Sequence, residues 1–142
     1  MPQDFAKANE LFLRAGELGC ADAYCNLGNS YYTGRGVEVD KKKANDFYEL
    51  AAMNGNVHAR HNLGCEEFEA GNYHRAYKHF ILAARAGYKL SLDVVKDGYM
   101  DGDVTKDEYA NALRAYQQQQ DEMKSEGRDK AEACVRYRQK VS

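Results

Sequence analysis

Apolar positions recur along this chain at helical spacing, with polar residues filling the intervals. Tyr24, Leu27 and Tyr31 form one such stripe, and Leu63 with its neighbours forms another. Ala44, Tyr48 and Ala51 form a third, repeated as Ala76, Phe80 and Ala83: an aromatic residue flanked by small ones. Tyr109, Ala112, Leu113, Tyr116 and Met123 predict a helix from Lys106 to about Lys124. The single proline stands at position 2, so nothing later interrupts a helix. Gly19, Gly55 and Gly87 fall where left-handed caps would end three of these elements.

The stripes repeat as pairs. Asn-Leu-Gly occurs at 26–28 and again at 62–64, and the closing glycines put one unit at 21–56 and a shorter one at 57–88. Such a period points to stacked helical hairpins. Gly28 and Gly64 sit mid-helix, where glycine costs about 1 kcal/mol against alanine, which makes sense where a second helix comes close. Residues 3–20 match only a second helix, with Ala8, Phe12 and Ala15 overlaying Ala44, Tyr48 and Ala51. A solenoid unit depends on stacked neighbours. This half unit therefore reads as the cut end of a longer array, or else as a face for self-association. Residues 89–116 form a degenerate unit, with Val95 on Leu63, Tyr99 at the aromatic place and Lys96 replacing the glycine. Residues 117–142, polar except for Ala131, Cys134 and Val135 in their last part, suit a capping helix bent near Gly127. The expected fold is an all-α, right-handed solenoid in a single domain.

The stretch from Gly34 to Ala44, "GRGVEVDKKKA", matches Gly-x-Gly-Val-x-x-Asp-x-x-Lys-Ala. This inner loop resembles that of the Sel-one-like repeats, relatives of the tetratricopeptide repeats. The resemblance implies adaptors that assemble complexes rather than catalysts. In such a loop Gly34 and Gly36 take backbone angles other residues avoid, Val37 tucks under, and Asp40 caps the second helix.

Composition narrows the partner classes. The 142 residues carry 20 basic and 22 acidic side chains, with a sequence pI near 6.1. That balance gives no general attraction to nucleic acid or an anionic membrane, so neither is expected as a partner. No apolar run reaches the length of a membrane span. Cys20, Cys25, Cys65 and Cys134 show no paired framework and read as reduced thiols, which predicts a cytoplasmic protein.

Candidate chemistry lies in two places. The stretch from Asp97 to Tyr109, "DGYMDGDVTKDEY", puts Asp97, Asp101, Gly102 and Glu108 where a calcium loop wants them, but has Tyr99 where a carboxylate belongs. Thr105 to Glu108 also reads as a capping box opening a helix. His58, His61 and Cys65 share one helix face, with Asp93 and Asp97 at equivalent places in the next unit, a conceivable zinc set. No catalytic or phosphate-binding motif occurs, and no cofactor is expected. His74 and His79, on a second helix, read as surface residues.

The first helices of such units line a concave face, which is the expected site for a protein or peptide partner. Its predicted lining is Asp22, Cys25, Asn29, Tyr32 and Thr33, then His58, His61, Cys65, Phe68 and Glu69, then Leu90, Asp93, Asp97, Met100 and Asp101. The apolar row Tyr32–Phe68–Met100 beside Glu69 and Asp101 suits a peptide with apolar anchors and a basic residue. A metal-responsive module or a purely structural segment of a larger protein are the alternatives.

Overall fold

The structure, a computed structural model, describes residues 4–141. The described residues form seven helices and no strand: α1 (Phe5–Glu17), α2 (Ala21–Thr33), α3 (Lys41–Met53), α4 (Val57–Glu69), α5 (Tyr73–Arg85), α6 (Lys89–Met100) and α7 (Lys106–Val141). Consecutive helices pack on one another, and α5 also packs on α7, as in a solenoid of hairpins. Asp4, Asp40 and Asn56 cap α1, α3 and α4 by accepting hydrogen bonds from the amides of Lys7, Lys43 and Ala59. None of these helices is long and apolar enough to cross a membrane.

The hairpins close through one recurring contact, an aromatic ring laid on a bare helical glycine. A Cβ on Gly28 would lie 2.7 Å from the ring of Tyr48, and one on Gly64 would lie 2.7 Å from Phe80. Tyr48 and Phe80 are 4% and 2% exposed, so neither ring has room to yield. Ala44 and Ala51, then Ala76 and Ala83, let the backbones approach on either side. Between hairpins the same device recurs, with Tyr24 on Gly16 and Tyr77 on Gly98.

The degenerate unit departs from the pattern. Lys96 is exposed at the glycine's place, and the glycine this unit does have, Gly98, takes the ring of Tyr77 from the hairpin before it. The second helix of this unit and the expected capping helix are one element. α7 runs unbroken for 36 residues, with no end at 116 and no break at Gly127. A single glycine costs too little to stop a helix otherwise rich in good helix formers. The part of α7 that packs contributes Ala112, Leu113 and Tyr116 to the core around Phe80 and Val95. His74 is exposed as expected, whereas His79 is half-buried and its Nδ1 has no hydrogen-bond partner.

The inner loop between α2 and α3 anchors α1. Gly36 has φ +73°, and a Cβ there would meet the Phe5–Ala6 backbone at 2.6 Å. Beside it the Asn9 side-chain amide donates to the Arg35 carbonyl at 2.8 Å. A side chain at Gly36 therefore meets both an unfavourable backbone angle and a clash. Gly36→Ala should cost about 1–3 kcal/mol. Hydrogen exchange should locate the loss in α1, whose amides exchange faster while those of α5 keep their protection. Equal protection of α1 in both proteins would contradict this.

Candidate functional site

The faces of α2 and α4 opposite the buried second helices bound two adjoining clefts. One, of about 560 Å³, lies among Asp22, Asn26, Asn56, His58 and Asn62, with Cys25 and Tyr88 at its walls. The other, of about 280 Å³, is bounded by Tyr32, Tyr48, Cys65, Glu66 and Glu69. Asn29 and Asn62 line both, so the two form one groove. The hydroxyl of Tyr48 donates to Asn29 Oδ1 at 2.5 Å, so the ring that closes the hairpin also furnishes part of the groove floor. Asn56 Nδ2 donates to Asp22 Oδ1 at 2.7 Å and ties the start of α4 to α2.

The groove is electronegative. Asp22, Glu66 and Glu69 line it, with no lysine or arginine among the lining residues. Neighbouring groups respond accordingly. The Glu66 carboxylate raises the pKa of Tyr32. Burial, helped by Asp22, raises that of the Cys25 thiol. Burial, then Glu69 and Glu66, raise that of Cys65. Tyr48 is pushed up to about 12, chiefly by burial. Both thiols are thus held protonated, the opposite of what a nucleophile or a thiolate metal ligand needs.

Of the residues predicted to face a partner, Asp22, Cys25, Asn29, Tyr32, His58, Cys65 and Glu69 come together around this groove. Cys25 is buried and offers it little surface. The rest lie elsewhere. Thr33 Oγ1 donates to the Asn29 carbonyl at 2.8 Å. Phe68 turns toward α5, its ring 4.8 Å from that of Tyr73 and 6.2 Å from that of Tyr77. His61 Nδ1 is 2.7 Å from Ser91 Oγ, and its ring packs against Phe80 and Tyr88. Along α6, Leu90, Asp97 and Met100 are exposed outside the two clefts, as is Asp101, which caps the helix's C-terminus. Asp93 is paired with Lys89 at 2.6 Å. The row Tyr32–Phe68–Met100 is therefore not a continuous strip on the groove wall.

Sequence reasoning passed over Asn26, Asn62, Glu66 and the Tyr48 hydroxyl. The signal for the first two was present, since both open the repeated Asn-Leu-Gly triplet. A polar residue recurring beside a core leucine marks the edge between core and groove.

The metal readings find other geometry. Tyr99 lies within α6, its ring 5.3 Å from that of Tyr109. Glu108 accepts from the Thr105 amide at 3.0 Å while Thr105 Oγ1 accepts from the Glu108 amide at 3.1 Å, a reciprocal capping box. These bonds hold the Glu108 carboxyl below the usual range. His61 and Asp93 are engaged as above. Among the described residues no three His, Cys, Asp or Glu side chains cluster as metal ligands.

A family model, the Sel1 repeat, matches residues 1–20, 21–56 and 57–88. The chain belongs to the Sel1 repeat family. A putative sel1-like repeat-containing protein of Acanthamoeba polyphaga mimivirus is 33% identical over 75 residues, covering 53% of this chain and 14% of its own. An uncharacterized Sel1-like repeat-containing protein of Schizosaccharomyces pombe is 32% identical over 114 residues, 80% of this chain and 17% of its own. An ERAD-associated E3 ubiquitin-protein ligase component of Arabidopsis thaliana is 40% identical over 58 residues, 41% of this chain and 10% of its own. The Sel1 chain thus spans less than a fifth of these relatives. Among solved structures, c5321, a protective antigen of uropathogenic Escherichia coli with an SLR fold, aligns with a TM-score of 0.67 at 29% identity. It covers 86% of this chain and 27% of its own. A Sel1 repeat protein of Oxalobacter formigenes, at 24% identity and a TM-score of 0.65, shares the fold over 88% of this chain and 51% of its own.

Two histidines make the stack of Sel1 hairpins acid-sensitive. Burial lowers the pKa of His61, with His58 adding to the effect, and burial also lowers that of His79, helped by Arg60. The unfolded chain keeps both near the ordinary 6.5 and so binds protons first as pH falls. Stability is therefore complete above that value and declines below it until the depressed folded values are passed. The urea midpoint should fall between about pH 7 and about pH 5, and His61→Gln with His79→Gln should flatten that slope. A wild-type midpoint unchanged over this range would contradict the assignment.

Proposed function

We propose that this chain is a protein-interaction module that seats an extended, basic peptide segment of a partner in the groove between α2 and α4. The observation that carries the reading is the lining: carboxylates of Asp22, Glu66 and Glu69 set among the side-chain amides of Asn26, Asn29 and Asn62, with no cation among them. An asparagine amide offers both a donor and an acceptor, which pairs with the backbone of an extended peptide whatever its side chains. The carboxylates select lysine or arginine on that peptide. At the groove's edge the chain's own Lys41 ammonium already lies 5.6 Å from the centre of the Tyr32 ring. Leu90, Asp97 and Met100 on α6, with Asp101 at its C-terminus, extend the partner surface beyond the clefts.

Membership in a family of interaction repeats supports a binding role over a catalytic one, and the protonated thiols of Cys25 and Cys65 agree with it. The likeness to a plant ubiquitin-ligase component fits a chain that assembles with other proteins. Four free cysteines suit a reducing compartment such as the cytoplasm.

Selection from a displayed library of random peptides tests the reading directly. Peptides retained by the wild type should be enriched in lysine and arginine and should bind more weakly as salt rises. Glu66→Lys with Glu69→Lys, and separately Asn62→Ala, should each weaken binding about tenfold or more while leaving helicity unchanged. A selected set without basic enrichment, or binding indifferent to both variants, would refute the groove.

A further inference from the structure

Five glycines lie inside helices, and four of them are explained by a ring. Gly16, Gly28, Gly64 and Gly98 each have an aromatic side chain between 2.5 and 2.7 Å from where a Cβ would stand. Gly127 is the fifth, and nothing lies within 4 Å of that point. It stands in the part of α7 between Asp121 and Lys140, which is exposed at every residue and reaches about 30 Å past the body of the solenoid. Tyr109, Ala112 and Tyr116 pack that helix onto the core, and helical spacing continues the same face as Met123, Gly127, Ala131 and Cys134. So α7 carries its packed face onward into solvent, with Met123 62% exposed.

At the other end of the chain stands the converse. Phe12 occupies in α1 the place that Tyr48 holds in α3 and Phe80 in α5, yet it is half-exposed and no glycine has it among its nearest atoms. It lines an open cleft of about 450 Å³ with Phe5, Ala8 and Asn9, whose opposite wall is Asn26, Asn29 and Ser30 of α2, and Leu11 beside it is 59% exposed. Among the described residues no helix covers this face. One chain thus holds a ring without a glycine and a glycine without a ring.

We infer that the distal part of α7 docks on the α1 face of a second copy of this chain, laying Phe12 of that copy on Gly127. The contact repeats the one that closes the hairpins, so the helices run antiparallel. With Phe12 opposite Gly127, that direction places Ala8 beside Ala131 and Phe5 beside Cys134. Ala8 then meets another small residue and Phe5 meets a thiol. A two-fold pair satisfies both junctions at once, whereas a head-to-tail row satisfies one per neighbour.

Sedimentation of the full chain from about 5 to about 300 µM should show a mass rising toward twice 16.1 kDa or beyond. Gly127→Leu fills the seat on an exposed helix, so the fold is kept and association should weaken at least about tenfold. Register is tested by oxidation of Phe5→Cys in a Cys20→Ser background, which should form an intermolecular disulfide with Cys134. Cys20→Ser alone should give no such bond. A wild type that stays monomeric throughout, a Gly127→Leu variant that associates undiminished, or a Phe5→Cys variant that does not crosslink to Cys134 would each overturn the inference.

Discussion

The structure depends on one contact, an aromatic ring pressed on a helical glycine. Glycine weakens the helix that holds it, and the loss is offset because the bare backbone lets a neighbouring helix approach and bury a whole ring. Tyr48 on Gly28 and Phe80 on Gly64 set the two complete hairpins, while Tyr24 on Gly16 and Tyr77 on Gly98 join them in series. The alanines that flank each ring follow from the same requirement, since any larger residue would hold the backbones apart. Where the requirement lapses, at Lys96, no glycine stands at the hairpin-closing place and the helix that follows outgrows the repeat.

Core and groove meet in a single side chain. The Tyr48 ring belongs to the core and its hydroxyl to the groove, bound to Asn29. Phe80 holds the next seat without a hydroxyl, and there His61 is turned to Ser91 and away from any ligand role. The Tyr48–Asn29 bond on the groove floor between α2 and α4 thus gives way, one repeat on, to a His61–Ser91 contact. Successive repeats of one scaffold therefore differ here by one oxygen atom and a few neighbours.

Much of this was legible in the sequence because the determinants are local. Asp40 caps α3 and Gly34 and Gly36 turn the inner loop as the resemblance implies; the cap and the turn are local, although Gly36 also makes room for the Phe5–Ala6 backbone. The small-aromatic-small spacing likewise names the residues that meet. What was not legible depends on which way a side chain turns. Phe68 faces α5 rather than a partner, and Asp93 is held by Lys89 four residues back on its own helix. Register alone assigned both to the concave face. The bend expected near Gly127 failed for another reason, since one glycine costs too little to interrupt a helix of good formers, and α7 runs unbroken through it.

The central claim is that Gly28 is there because of Tyr48, and a double-mutant cycle in urea tests it most directly. Gly28→Ala in the wild type should be destabilising, because the added methyl meets a ring that cannot move. In a Tyr48→Val background the ring is gone and only the Ala44 carbonyl, 3.1 Å from the added methyl, still crowds it, while helix propensity favours alanine by about 1 kcal/mol. A cost at least halved by the loss of the ring is the predicted result. The same cost for Gly28→Ala in both backgrounds would show that the glycine serves something other than the ring, and the account would fail.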